Sequence, residues 1–144
     1  MKQFLFILMM IAVLAACSNG SKETKGGAED PESVAADTVG AESFAAFYER
    51  FITDSAFQIS RIPFPIKGKY RDPYQEYGWA RESWGFQNLR LSDIDTTQYT
   101  VKVLQTPTRV VESVKAKEGG FSYTMEYRLM HKKWYVIFRE ENNL

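Results

Sequence analysis

Residues 119–139 read GGFSYTMEYRLMHKKWYVIFR, and their pattern decides the fold class. Gly119-Gly120 is a turn signal that accepts positive φ. After it Phe121, Tyr123, Met125, Tyr127 and Leu129 alternate with Ser122, Thr124, Glu126 and Arg128. Alternation of period two sends the first set to one face of a strand and the second to the other. A tight polar turn around His131 to Lys133 reverses the chain. Trp134, Val136 and Phe138 then alternate with Tyr135, Ile137 and Arg139, completing a hairpin of two long strands. Upstream, Gln98 to Leu104 alternates with Tyr99, Val101 and Val103 on one side until Pro107 breaks it, and Arg109 to Lys117 follows. Together these predict a meander of about four antiparallel strands.

Before the meander the periodicity changes. Phe44, Phe47, Tyr48, Phe51 and Ile52 recur at helical spacing, predicting an amphipathic helix over about Glu42 to Thr53 that turns Glu49 and Arg50 outward. Asp54-Ser55 stops it. Ala56 to Ile62 reads as a strand with Phe57, Ile59 and Arg61 on one face, and Pro63 and Pro65 confine it to an edge. A second helix is expected from Pro73 to Trp84, because Asp72 can cap, Pro73 suits the first helical position and Gln75 completes a capping box. The order is helix, strand, helix, sheet.

The chain opens differently. Lys2 precedes thirteen apolar residues, Phe4 to Ala16, and a polar stretch starts at Cys17. That layout is an export signal, and it is shorter than the roughly 20 apolar residues a spanning helix needs. Leu14-Ala15-Ala16-Cys17 resembles the lipobox of bacterial lipoproteins, in which the cysteine is diacylated and becomes the new N-terminus. The resemblance implies a signal peptide over 1–16, lipid such as palmitate on Cys17, and the membrane as a partner. Ser18 in place of aspartate implies the outer membrane, with the domain facing the periplasm. Residues 17–41 hold no aromatic residue and are rich in Gly, Ser, Ala and Glu, which reads as a flexible stalk. A single domain is expected over 42–144, with 19 of the chain's 21 aromatic residues to build a core.

Charge and composition exclude several functions. Eighteen basic residues balance eighteen acidic ones, so nothing points to nucleic acid. With one histidine, His131, in a turn and one cysteine, Cys17, in the lipobox, no zinc site and no Ser-His or Cys-His nucleophile system can be assembled. No cofactor is called for, and Asp93 and Asp95 read as turn residues rather than calcium ligands. Asp54 reads first as a capping aspartate. Tyr70, Tyr74, Tyr77, Trp79 and Trp84, interleaved with Arg71 and Arg81, form the most suggestive stretch. Rings beside Arg forks suit a flat or sugar-like ligand, and equally they can close the end of a core. Arg61 is either an anion ligand or an edge-strand charge.

The element order resembles the cone-shaped nuclear transport factor 2-like (cystatin-like) fold, and the hairpin ending Lys133-Trp134-Tyr135-Val136-Ile137 is similar to the last strands of that superfamily. More narrowly, the lipobox together with Phe44-x-x-Phe47-Tyr48-x-x-Phe51-x-x-Asp54-x-x-Phe57-Gln58-x-x-Arg61-Ile62-x-Phe64-Pro65 resembles a Bacteroides-type lipoprotein family of unknown function. The resemblance implies an α+β domain, N-terminal helices packed on a curved antiparallel sheet, and supplies no activity. It would make Asp54, second, a pocket acid. The expectation is a non-catalytic module of the cell envelope that binds a small ligand, a glycan or an envelope protein. The alternatives are a small-pocket enzyme of isomerase or hydrolase type and an assembly partner of another envelope protein.

Overall fold

The computed structural model describes residues 38–144. The expected leader, Cys17 and the stalk as far as residue 37 lie outside the described residues. Helix α1 (Phe44–Thr53) starts where the Ser43 hydroxyl accepts from the Ala46 N–H at 3.2 Å, and it buries Phe47, Phe51 and Ile52, part of the stripe read from the sequence. Asp54 ends α1 and caps the next element, its Oδ1 accepting from the Phe57 N–H at 2.9 Å. The strand expected over Ala56 to Ile62 is instead a second short helix, α2 (Ser55–Ser60). Its neighbours Phe57 and Gln58 are both buried, which a strand with one core face would forbid, and six residues are too few for periodicity to separate the two states.

The second expected helix is also corrected. Residues 66–79 form a hairpin of β1 (Ile66–Arg71) and β2 (Glu76–Trp79), joined by a turn. Asp72 does cap, but it caps that turn: its Oδ1 accepts from the N–H groups of Tyr74 and Gln75 at 2.8 and 2.9 Å. Gln75 supplies the matching carbonyl to Asp72 N–H, so the capping-box residues close a turn rather than open a helix. Aromatic residues flanking Gly78 suit a strand, and Tyr70 stacks on its cross-strand partner Tyr77 at 4.9 Å.

The meander is as expected: β3 (Tyr99–Gln105), β4 (Arg109–Ala116), β5 (Phe121–Met130) and β6 (Lys133–Asn143). The turn between β5 and β6 puts His131 and Lys132 at φ 50° and 64°, the primed-turn geometry that matches strand twist. The sheet runs β2-β1-β6-β5-β4-β3, and β1 lies parallel to β6, so it is mixed where an antiparallel sheet was expected. Gly68 permits that pairing, since at φ +91° a Cβ would stand 1.9 Å from the Arg139 carbonyl oxygen.

One irregularity in β6 decides what faces inward. Tyr127 pairs with Val136 but Glu126 pairs with Phe138, leaving Ile137 as an extra residue. Such a bulge shifts the pleat by one. Trp134 and Val136 face the helices before it, and after it Arg139 replaces Phe138 as the buried position. The core lies between α1, α2 and this face, centred on Phe47, Phe51, Met125, Tyr127 and Val136.

Candidate functional site

Tyr127 is where the core meets the site. Its ring stands edge-on to four aromatic rings of α1, Phe44, Phe47, Tyr48 and Phe51, at 5.2 to 6.2 Å, and so is fixed from one side. Its hydroxyl reaches across to β4 and donates to Glu112 Oε2 at 3.0 Å. Glu112 occupies an inward position between Val110 and Val114 and is 4% exposed. Among the described residues it has no cationic partner. Burial therefore pushes its carboxyl up to about 7, against a smaller opposite pull from the Tyr127 hydrogen bond.

Glu112 and Tyr127 border a cavity of about 420 Å³ between α1, the sheet and residues 87–95. Phe51, Ile52, Val114 and Phe121 give it apolar walls, and the tyrosines Tyr48, Tyr99 and Tyr123 line it with rings. Burial pushes the Tyr48 hydroxyl up to about 12 and raises those of Tyr123 and Tyr127 further, so all three remain protonated donors at neutral pH.

The fourth wall is a segment with little regular structure, in which Leu91–Asp93 forms a single 3-10 turn. Gln58 holds one end of it. This side chain, fully buried on α2, donates from Nε2 to the carbonyls of Phe51 and Gln87 at 2.8 Å, and its Oε1 accepts from Trp84 Nε1 and Gln87 N at 2.8 and 3.0 Å. All four of its hydrogen-bonding positions are used. Arg90 pairs with Glu49 of α1 at 2.7 Å in the middle, and Asp95 closes a turn onto Thr97 at the far end. Asp93 and Asp95, read from the sequence as turn residues, also line the cavity.

Arg139 enters the cavity from β6. It donates to Glu141 Oε2 at 2.7 Å, and with the Gln87 amide turned to satisfy both groups its Nη1 and Nη2 donate to Gln87 at 2.9 and 2.7 Å. Its guanidinium lies 4.0 Å from the Trp79 ring and 4.7 Å from the Trp84 ring. Its charge is thus met by Glu141 and lies in the corner formed by the two indoles. Among the described residues no group of three His, Cys, Asp or Glu side chains gathers closely enough to hold a metal ion.

A family profile whose description reads only "-like" matches residues 42–142. The chain belongs to that family. Among curated proteins no match is found. Two solved structures from Bacteroides are similar to this chain, and the first of them names the fold. A nuclear transport factor 2-like protein from Bacteroides fragilis NCTC 9343 is similar at 20% identity and a TM-score of 0.51, over 72% of this chain and 48% of that one. This chain spans about half the length of that protein. A protein from Bacteroides uniformis ATCC 8492 is similar at 25% identity and a TM-score of 0.54, over 69% of this chain and 76% of that one. The domain has the nuclear transport factor 2-like fold, helices on a six-stranded mixed sheet.

Within this nuclear transport factor 2-like domain the residues put forward from sequence as binding or pocket candidates, Asp54, Arg61, Tyr70, Tyr74, Tyr77, Trp79, Arg81 and Trp84, all stand outside the cavity lining. Tyr70, Tyr77, Trp79 and Trp84 form a chain of ring contacts at 4.9 to 6.2 Å whose indoles back Arg139, so they support the cavity from behind. Tyr74 stands 95% exposed at the β1–β2 turn, and exposed Arg81 lies over the Phe64 ring. Asp54 caps α2, the first of its two readings. Arg61 forks onto Glu42 at 2.8 and 3.0 Å and donates to the Trp134 carbonyl, a clasp between the start of α1 and β6. Sequence reasoning passed over Glu112 and Arg139. The first had a signal, a charged residue at an apolar inward position of an alternating strand. The second was hidden by the bulge at Ile137.

Proposed function

We propose that this domain is a non-catalytic binding module that takes a small organic ligand in the cavity beside Glu112. The observation that carries the reading is a volume of about 420 Å³, within the usual range for small-molecule sites, whose apolar walls meet one hydrogen-bonded polar pair. The ligand's apolar body packs against Phe51, Ile52, Val114 and Phe121, and its polar end meets Glu112. On this reading the lipid on Cys17 holds the module at the outer membrane, facing the periplasm, as expected from Leu14-Ala15-Ala16-Cys17.

A second reading, a small-pocket acid–base enzyme, draws on the same carboxyl, because a group that titrates near 7 is suited to proton transfer. Binding is the better supported of the two. The hydroxyls of Tyr48, Tyr123 and Tyr127 stay protonated, and that of Tyr127 is already given to Glu112 instead of to a substrate oxygen. The test is titration with a neutral environment-sensitive dye such as N-phenyl-1-naphthylamine. Saturable binding that Ile94→Trp weakens at least tenfold supports the cavity as the site, since Ile94 lines it from the covering segment. Absence of binding, or equal binding by the variant, overturns it.

A further inference from the structure

The cavity's charge and its rings select among ligand classes. Four carboxyl groups line it, Glu112, Asp93, Asp95 and Glu141, against the single cation Arg139. Arg139 and Glu141 neutralise each other at 2.7 Å. Asp95 is held below the usual carboxylate range by hydrogen bonds from the Thr97 hydroxyl and N–H, and so is anionic at neutral pH. An anionic ligand would meet this negative lining with no free cation to receive it. The rings of Tyr48, Phe51, Tyr99, Phe121, Tyr123 and Tyr127 share the rest of the wall with aliphatic side chains, and ring faces attract cations.

Glu112 sharpens the choice. A buried carboxylate without a counter-charge is costly, and Val110 and Val114 on either side show that an apolar residue fits this face of β4. We propose that the ligand is an organic cation, an ammonium or similar group on an apolar body, whose charge sits at Glu112 while its body lies against the rings of Tyr48, Phe51, Phe121 and Tyr123. This inference rests on the cavity being the ligand site. Asp93 and Asp95, both exposed, give the cavity a negative edge that draws such a cation from solution.

The step is a proton exchange. When the ammonium arrives, the Glu112 carboxyl releases its proton to water and the carboxylate pairs with the cation, so binding gives up a proton wherever Glu112 was protonated. Other titratable groups face the same cavity. From α1 and β5 the hydroxyls of Tyr48, Tyr123 and Tyr127 stay protonated. From β6 Arg139 is paired with Glu141, and from the covering segment Asp95 stays ionised. Tyr99 of β3 and Asp93 complete the set.

Calorimetric titration with 4-phenylbutylamine, 4-phenylbutanol and 4-phenylbutyrate separates the possibilities. At pH 8 the amine should bind about tenfold or more tighter than the alcohol, with the carboxylate weakest. Amine affinity should rise about tenfold between pH 6 and 8, the change in ionised fraction of a group titrating near 7. Glu112→Gln keeps an acceptor for Tyr127 and should remove both the preference for the amine and the pH dependence. If the alcohol or the carboxylate binds as well as the amine, or the preference survives in Glu112→Gln, the cation proposal is overturned and the cavity stands as a ligand site. If none of the three binds, the cavity reading fails with it.

Discussion

Glu112 is a carboxyl where the strand pattern asks for a third valine, and its cost can be measured. In the unfolded chain it titrates near 4.5 and in the folded domain near 7. Between those values the folded state holds a proton that the unfolded state has shed, so the stability this group contributes falls as pH rises through that window and is lowest above 7. At about 1.4 kcal/mol per pH unit the loss is about 3 kcal/mol. Glu112→Gln preserves the shape and the acceptor for Tyr127 but cannot ionise. Its unfolding free energy should therefore lie close to that of the wild type at pH 4 and exceed it by about 3 kcal/mol at pH 8, measured by urea denaturation. A difference that does not change between the two pH values would sink the assignment.

At the scale of elements, the β1–β2 hairpin replaces a helix, and its aromatic residues divide sharply by burial. Trp79 is 2% exposed and its Nε1 donates to the Arg139 carbonyl at 2.6 Å, whereas Tyr74 at the turn is almost wholly in solvent. Trp79→Ala should cost about 3 to 5 kcal/mol, and Tyr74→Ala no more than about 0.5 kcal/mol. Equal losses in thermal melts would mean the hairpin is misplaced. The reason this element was misread lies in Asp72 and Gln75, which make the same hydrogen bonds at the start of a helix as in a turn. Only partners far along the chain separate the two cases, since β1 is held by β6, Lys67 opposite Phe138. Long strands with clean alternation, β3 to β6, were legible because their pattern is local. So was the helical stripe from Phe44 to Ile52. The candidate site was less legible for the same reason: Tyr48, Glu112, Tyr127 and Arg139 come from four elements, and the bulge that aims Arg139 inward appears only in the pairing of β5 with β6.

For the whole molecule, the question is where the folded unit starts and what precedes it. The apolar run before Cys17 motivates the proposal of a lipid anchor. Labelled fatty acid should enter the wild-type chain in a bacterial host and not Cys17→Ser; equal incorporation in both would refute it.

The start of the folded unit rests on Glu42. Its N–H donates to the Lys132 carbonyl at 3.0 Å, its carbonyl accepts from Trp134 Nε1 at 2.9 Å, and its carboxylate receives both the Arg61 fork and the Trp134 N–H. One residue thus ties the entry of α1 to α2's exit and to the start of β6. Ala41 packs on the core beside it, while Val34 and Val39 are the only large aliphatic residues between Ser18 and Ala41, a composition that predicts little added to a core. A chain beginning at Thr38 should therefore melt together with one beginning at Ser18. A chain beginning at Ser43 should be less stable by about 2 kcal/mol, because Arg61 loses its carboxylate and Trp134 its acceptor. The loss is modest because the Glu42–Arg61 pair keeps some solvent, with side chains 23% and 12% exposed. Thermal melts of the three chains decide it. If the chain from Ser43 melts with the other two, Glu42 is not the tie and the fold is held at its N-terminus by α1 packing alone; if the chain from Thr38 already melts early, residues before 38 contribute contacts that their composition does not suggest.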